Sequence, residues 1–382
     1  MKISVKYNEL VETFGFATTV LSDKSVEDKM KNVIFLVDAE SIKVVGYNAF
    51  TFSRTDIEDV SMEDIPGNGW QFQVRAANLL KILSSFSSLS KTKVDGVDFE
   101  DDGVRIKLTI HENAIKEEDE RLSQKCVFQL ENIPILSNVM KDINMEFPED
   151  VEVVDSGDLS IYIESLLPLM SNDSASKNES KLNFAEDYVF VMSAQMSAYF
   201  KNKLPDAFKG LTLSYSSVNF LKKLTEGASS VNICRIEKYL CIQSNNTEAF
   251  MRYQNIKIKY QAYLQRLNKD KGIVVDRLYL KDVLRRMSNI SPDGKMCITD
   301  DNTLDVTNSS FHQVIPLINV KEGTSGISFN VSVGFLEKAI VGRDDMLSGE
   351  LFIYFVPTAR GYSIFLLDRT GAWLSNTTVT RA

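Results

Sequence analysis

The sequence predicts an α+β fold of three similar domains, each with two helices packed on antiparallel sheets. Three observations predict it. A strand–helix unit recurs six times along 382 residues, the segments between copies alternate as strands do, and six copies taken in pairs leave domains of ordinary size. The clearest copy spans residues 326–343, GISFNVSVGFLEKAIVGR. Ile327, Phe329 and Val331 alternate, and Phe335, Leu336, Ala339 and Ile340 follow at helical spacing, so the hydrophobic period changes from 2 to 3.6 within one stretch. The template is apolar, any, apolar, then apolar five residues on. It is also met at Ile3, Val5 and Leu10; at Phe72, Val74 and Leu79; at Leu159, Ile161 and Leu166; at Leu211, Leu213 and Val218; and at Ile273, Val275 and Leu280. An internal repeat of this kind is stronger support for an architecture than any single motif.

Taken in order, residues 1–21 are the first unit, with Asn8 expected as helix N-cap and Leu10, Val11, Phe14 and Val20 at helical spacing. Residues 32–38 and 41–53 are of strand type, linked by Asp38-Ala39-Glu40. Pro66, Gly67 and Gly69 punctuate the chain before the second unit at 70–86. Strands are expected at 93–99 and 103–110, a solvated loop at 111–125 and a closing strand at 126–130. The third unit is placed at 159–171, its helix shortened or kinked by Pro168. The polar tract 171–181 reads as a loop and 182–202 as strands. The fourth unit, 211–224, precedes a meander at 231–236, 239–244 and 248–253 and a basic connector at 256–270. The fifth unit is 273–287, the sixth 327–343, with strands at 296–299, 303–308 and 312–320 between them and at 351–356, 362–367 and 372–380 after them. The domains are then 1–132, 133–262 and 263–382.

Composition narrows the function. No apolar run approaches the roughly 20 residues that span a bilayer, and the start MKISVKYNEL has no signal-peptide core, which points to a cytoplasmic protein without a membrane partner. Cys126, Cys234, Cys241 and Cys297 lack CxxC spacing and read as free thiols. The two histidines, His111 in a charged loop and His312 at a strand start, belong to no HExxH pattern. No phosphate-cradling GxGxxG or GxxxxGK[ST] loop and no GxSxG elbow is present. The pairs Asp101-Asp102, Asp300-Asp301 and Asp344-Asp345 fall in turns, where aspartate satisfies backbone groups. A repeated scaffold without such chemistry favours a binding or structural role with no catalysis, metal or cofactor.

The net charge is −9, which opposes tight binding of nucleic acid through bulk charge. The helices differ from the total. Arg277, Lys281 and Arg285 recur at i, i+4 and i+8, a stripe along one helix face. The second unit carries Arg75 and Lys81, the fourth Lys222 and Lys223, the sixth Lys338 and Arg343. In the repeat frame Lys81 and Lys338 share one position, and Lys223 and Arg285 another, both away from the apolar face. Any one lysine reads as a solvated helix residue; recurrence at matched positions suits a duplex phosphate backbone touched without base readout. The first helix, with Glu9 and Glu12, and the third unit do not share the pattern.

These residues carry a family resemblance. The opening MKISVKYNELVETF, the strand pair SIKVVGYNAFTFSRTDI, the helix start SFNVSVGFLEKAI and the penultimate Arg of VTRA are similar to the corresponding parts of the bacterial sliding clamp, the beta subunit of DNA polymerase III. The resemblance runs along the whole chain in short matches, as in a divergent member such as one encoded by a bacteriophage. It implies the DNA clamp fold and a head-to-tail homodimer ring around double-stranded DNA. The ring would act as a DNA polymerase processivity factor, opened by a clamp loader and bound to the polymerase. Lys24, Arg75, Lys81, Lys222, Lys223, Arg277, Lys281, Arg285 and Lys338 are then the DNA-facing candidates. The family's partner pocket falls near Met196, Ala198, Val379 and Arg381, although its Gly-His-Arg-Leu motif is replaced here by residues 195–198 and its Met-Pro-Met by residues 378–380. The ring interface is expected at an edge strand 103–110 carrying Ile106 and Leu108, with Ile82 and Phe86 on one side and Met287 and Ile290 on the other. The alternative is a clamp-fold adaptor or scaffold that does not encircle DNA.

Overall fold

The computed structural model describes the chain except residues 22–30, 49–50, 88–91, 117–120, 171–180, 193–195, 202–204, 257–258, 341–348 and 372. Among the described residues the α-helices are α1 (Tyr7–Leu21), α2 (Ala76–Ser84), α3 (Ser137–Ile143), α4 (Ser156–Leu166), α5 (Tyr215–Thr225), α6 (Gln261–Leu264), α7 (Arg277–Ser288) and α8 (Val333–Ile340). The paired strands described are all antiparallel, so the fold is α+β. The chain divides into two compact units, 1–157 with 219–252, and 158–218 with 253–382.

In the first unit a five-stranded sheet runs Val60–Glu63, Lys2–Lys6, Thr92–Asp101, Arg105–Ala114, Gln124–Glu131. An eight-stranded sheet runs Glu152–Asp155, Ser230–Ile236, Tyr239–Ser244, Thr247–Arg252, Thr51–Ile57, Ile42–Tyr47, Asn32–Val37, Trp70–Arg75. One core joins Ile3, Val97, Phe99 and Ile106 of the first sheet to Val33, Phe35, Val44 and Phe72 of the second, with Leu10, Phe14, Leu79 and Leu83 of α1 and α2 between them. Alternation explains the division: Val33, Phe35 and Val37 face this core, while Ile34 faces a second one on the far side of the sheet, with Val45, Phe52, Cys234, Cys241 and Phe250. The second core is roofed by Ile143, Met145, Phe147 and Val151. Arg54 fastens the roof. It donates to the carbonyls of Ile143 (3.0 Å) and Met145 (2.7 Å) and pairs with Glu248 on the neighbouring strand.

In the second unit one fourteen-stranded sheet contains Tyr188–Met192, Met196–Lys201, Trp373–Arg381, Ser328–Ser332, Asp293–Ile298, Thr303–Thr307 and His312–Pro316 as consecutive neighbours. Helix α8 lies across Trp373–Arg381, where Trp373 Nε1 (3.1 Å) and Ser375 Oγ (2.9 Å) both donate to the Ala339 carbonyl. The opposite face bears Phe190, Tyr199, Tyr354, Phe365 and Leu374, packed against Tyr260, Leu264 and Leu267 of the connector.

Five of the six template copies are strand–helix junctions, with each helix starting two residues after the strand's last template position. The third copy is corrected. Leu159 and Ile161 lie inside α4, whose strand is Glu152–Asp155; Pro168 does end this helix, in a short 3-10 turn after Leu166. Asn8 is not a cap, because α1 already begins at Tyr7. The expected loop at 111–125 is strand at both ends, up to Ala114 and from Gln124, and residues 117–120 lie outside the described part. His111 is therefore a strand residue, its Nε2 2.9 Å from Asp98 Oδ2. Residues 41–53 make two strands rather than one, Ile42–Tyr47 and the start of Thr51–Ile57, where Asn48 accepts from Thr51 N at 2.7 Å.

Candidate nucleic-acid interface

Helix starts fix where each basic side chain emerges. Asp276 caps α7, its carboxylate accepting from Tyr279 N at 2.8 Å, so the helix begins at Arg277. That register corrects the expected stripe. Arg277 is 1% exposed and belongs with the buried face of Leu280, Val283, Leu284 and Met287. Lys281 is half-buried and Arg285 is exposed. The exposed Arg286, which the spacing argument passed over, stands beside Arg285, its Nε donating to the Asp282 carbonyl at 3.2 Å. The signal for it was in the sequence: two consecutive arginines in the last turn.

Lys81 is exposed at the end of α2. Arg75, half-buried, is the last residue before that helix, and its Nε is 3.9 Å from the Glu131 carboxylate. In the last turn of α5, Lys222 pairs with Glu226 at 3.5 Å. Lys223 lies over the Phe16 ring of α1, 5.0 Å from its centroid. Burial lowers the Lys223 pKa against the opposing pull of Glu226 and Glu12, so this lysine is the least freely solvated of the pair. Lys24 and the side chain of Lys338 lie outside the described residues.

The cations gather at helix C-termini: Lys81, Lys141, Lys222 and Lys223, Arg285 and Arg286 all occupy last turns, while the acidic Glu9 and Asp158 occupy first turns. This placement complements the helix dipole, and that alone accounts for their position along the helices. Their exposure leaves Lys81, Arg285 and Arg286 able to meet a polyanion.

The expected partner-pocket residues share one sheet face. Met196 stands opposite Thr377 and Ala198 opposite Ser375, and Val379 and Arg381 continue the same alternation. Ala198 is fully buried on the side covered by α8, and Met196 and Val379 are 6% and 8% exposed. Arg381 is exposed, its guanidinium 5.7 Å from the Tyr362 ring centroid. The accessible part of this face is thus its rim at Arg381 and Tyr362, beside the nearly buried Val379.

The interface residues are corrected in part. Strand Arg105–Ala114 is interior, paired on both sides, and Ile106 and Leu108 are fully buried in the core, as is Met287. Ile82 and Phe86 are half-buried against the first core. Ile290 is exposed. One edge of the five-stranded sheet is Gln124–Glu131, the other being Val60–Glu63; on the former Val127 is exposed and Phe128 meets Phe86 edge-on at 6.2 Å. The fourteen-stranded sheet has a comparable edge at His312–Pro316, with Val314 exposed and Gln313 Nε2 donating to Tyr279 Oη at 2.9 Å.

Among the described residues no group of three or more His, Cys, Asp or Glu is placed to hold a metal, and no helix is long and apolar enough to cross a membrane. No family model and no curated protein matches the sequence. Solved structures do match. The DNA polymerase sliding clamp from Bacillus subtilis superposes with a TM-score of 0.74 at 12% identity over 100% of this chain and 99% of that one. The DNA polymerase III beta subunit from Thermotoga maritima gives 0.71 at 14% identity, again over 100% and 99%. The DNA polymerase III subunit beta from Pseudomonas aeruginosa gives 0.71 at 12% identity over the full length of both chains. The chain has the DNA clamp fold.

Proposed function

We propose that this protein is a divergent sliding clamp, a polymerase processivity factor that encircles duplex DNA. The observation that carries the proposal is the superposition on DNA polymerase III beta subunits and sliding clamps along essentially the whole of both chains. On this reading the chain is three clamp domains, 1–132, 133–262 and 263–382, and two chains close head to tail into a homodimer ring in the cytoplasm. The open edges Gln124–Glu131 and His312–Pro316 are the strands proposed to pair between chains, in place of the buried strand Arg105–Ala114. Ile82, Phe86 and Ile290 remain beside that contact.

The DNA-facing set is Arg75, Lys81, Lys222, Lys223, Lys281, Arg285 and Arg286, with Lys24 and Lys338; buried Arg277 is withdrawn from it. Phosphate contacts carry no sequence information, so a closed ring is held by topology and slides. The DNA polymerase and a clamp loader are the proposed protein partners, their extended segments meeting the rim at Arg381 and Tyr362, beside Val379. A polymerase so tethered gains effective concentration at the primer end.

The test mixes the protein with nicked circular plasmid, isolates the complex by gel filtration and cuts the plasmid once. A clamp co-elutes with the circle and is released by cutting. Equal retention on circular and linear DNA rejects encirclement. No retention on either favours the adaptor reading.

A further inference from the structure

Cys234 and Cys241 stand directly opposite each other on the antiparallel strands Ser230–Ile236 and Tyr239–Ser244. The strands are joined by a two-residue turn, Glu237-Lys238, with Glu237 in the left-handed region at φ 32°. The closing pair Ile236 and Tyr239 is a hydrogen-bonded pair of such a hairpin, and alternation makes Cys234 and Cys241 another. Their Cα atoms are then about 5.5 Å apart, inside the span of roughly 4.4–6.8 Å that a disulfide bridges, while their Cβ atoms, at about 5.5 Å in a hydrogen-bonded pair, have to close to roughly 3.5–4.5 Å, so bridging draws the two strands together by about 1 Å. Both side chains point to the same sheet face, into the core roofed by Met145, Phe147 and Val151.

We propose that Cys234 and Cys241 are a latent dithiol that small disulfides oxidise to a cross-strand disulfide, a modification site independent of the clamp reading. The two sulfurs are not equivalent. Cys241 is fully buried, whereas Cys234 is 8% exposed. Burial raises both thiols, and Cys241, the deeper of the two, is pushed up further. Cys234 is therefore the attacking thiol. Its thiolate displaces one thiol from a small disulfide, leaving a mixed disulfide on Cys234. Cys241, deprotonated in its turn, attacks Cys234 Sγ and expels the second thiol. Two cysteine thiols lose two electrons and two protons in total, and one disulfide is reduced to two thiols. The second step is intramolecular between neighbours, which offsets the low thiolate fraction. The product pins the register of the hairpin on which strand Glu152–Asp155, the lead-in to α4, is paired.

The test incubates the native full-length protein with 2-hydroxyethyl disulfide, unfolds it in acid, alkylates the remaining thiols and maps the peptides by mass. The expected result is a Cys234–Cys241 linked peptide, with Cys126 and Cys297 alkylated or carrying single adducts. In Cys241→Ser the Cys234 adduct persists; in Cys234→Ser, Cys241 stays reduced. Recovery of Cys234 and Cys241 both as alkylated thiols, or both as separate adducts, overturns the proposal. So does a link that forms only when urea is present during oxidation. The wild-type map decides the matter even if a serine variant fails to fold.

Discussion

Gly46 lies where α1 crosses its sheet, and a Cβ there would stand 2.5 Å from the Ala17 carbonyl oxygen and 2.6 Å from Ala17 Cα. Both are backbone atoms and cannot swing aside, so Gly46→Ala should cost about 1–3 kcal/mol, read as a lower urea midpoint. Asp98 makes a prediction about pH. Burial pushes its carboxyl up, but hydrogen bonds from Ser4 and His111 and the charges of His111 and Lys2 outweigh that and hold it below the ordinary aspartate value. A lowered folded pKa stabilises the protein at pH values above the unfolded pKa of about 3.9, and the contribution is lost as pH falls through the folded value. Asp98→Asn should therefore be less stable than wild type by about 1–2 kcal/mol at pH 7. The gap should close near pH 2, measured as urea midpoints at both pH values. The sequence showed His111 only as a charged-loop residue, because its pairing with Asp98 depends on a strand register set 13 positions away.

At the scale of elements, α7 separates two roles that spacing alone had merged. Arg277→Glu places a charge of the wrong sign at a 1% exposed site and should destabilise the fold by about 3–5 kcal/mol. Arg285→Glu with Arg286→Glu alters only exposed side chains and should lower stability modestly, by about 0.3–1 kcal/mol for each charge reversed at the helix C-terminus, without unfolding the protein, while weakening DNA retention. If the double variant retains DNA as wild type does, these cations are helix-dipole partners and nothing more. The edge strand gives a second test. Val127→Asp puts a charge on an exposed edge position, and on the ring proposal it should shift the protein from dimer to monomer in sedimentation without unfolding it. Most elements were legible in the sequence, because alternation and helical spacing express which faces are buried. The third unit was not. Its strand Glu152–Asp155 is a sheet edge with Glu152 and Val153 exposed, so it lacks the first apolar position, and the template slid seven residues into α4. The short helix α3 escaped for a related reason: at seven residues it shows barely two turns of period before the irregular roof that Arg54 holds. Strand Arg105–Ala114 was mistaken for an edge because its outer neighbour, Gln124–Glu131, follows a polar run that hid the pairing.

At the scale of the whole molecule, a net charge of −9 and a few exposed helix cations would make a poor open-surface DNA binder. Closure is what would turn weak, sequence-blind contacts into lasting residence on DNA, so the functional account stands or falls with the ring. The full-length match to sliding clamps at 12–14% identity fixes the fold and leaves closure to experiment. The most direct measurement is negative-stain imaging of the purified protein. Encirclement requires closed rings of six lobes around a hole wide enough for duplex DNA. A field of single three-lobed crescents at the same concentration, unchanged by added DNA, would contradict it.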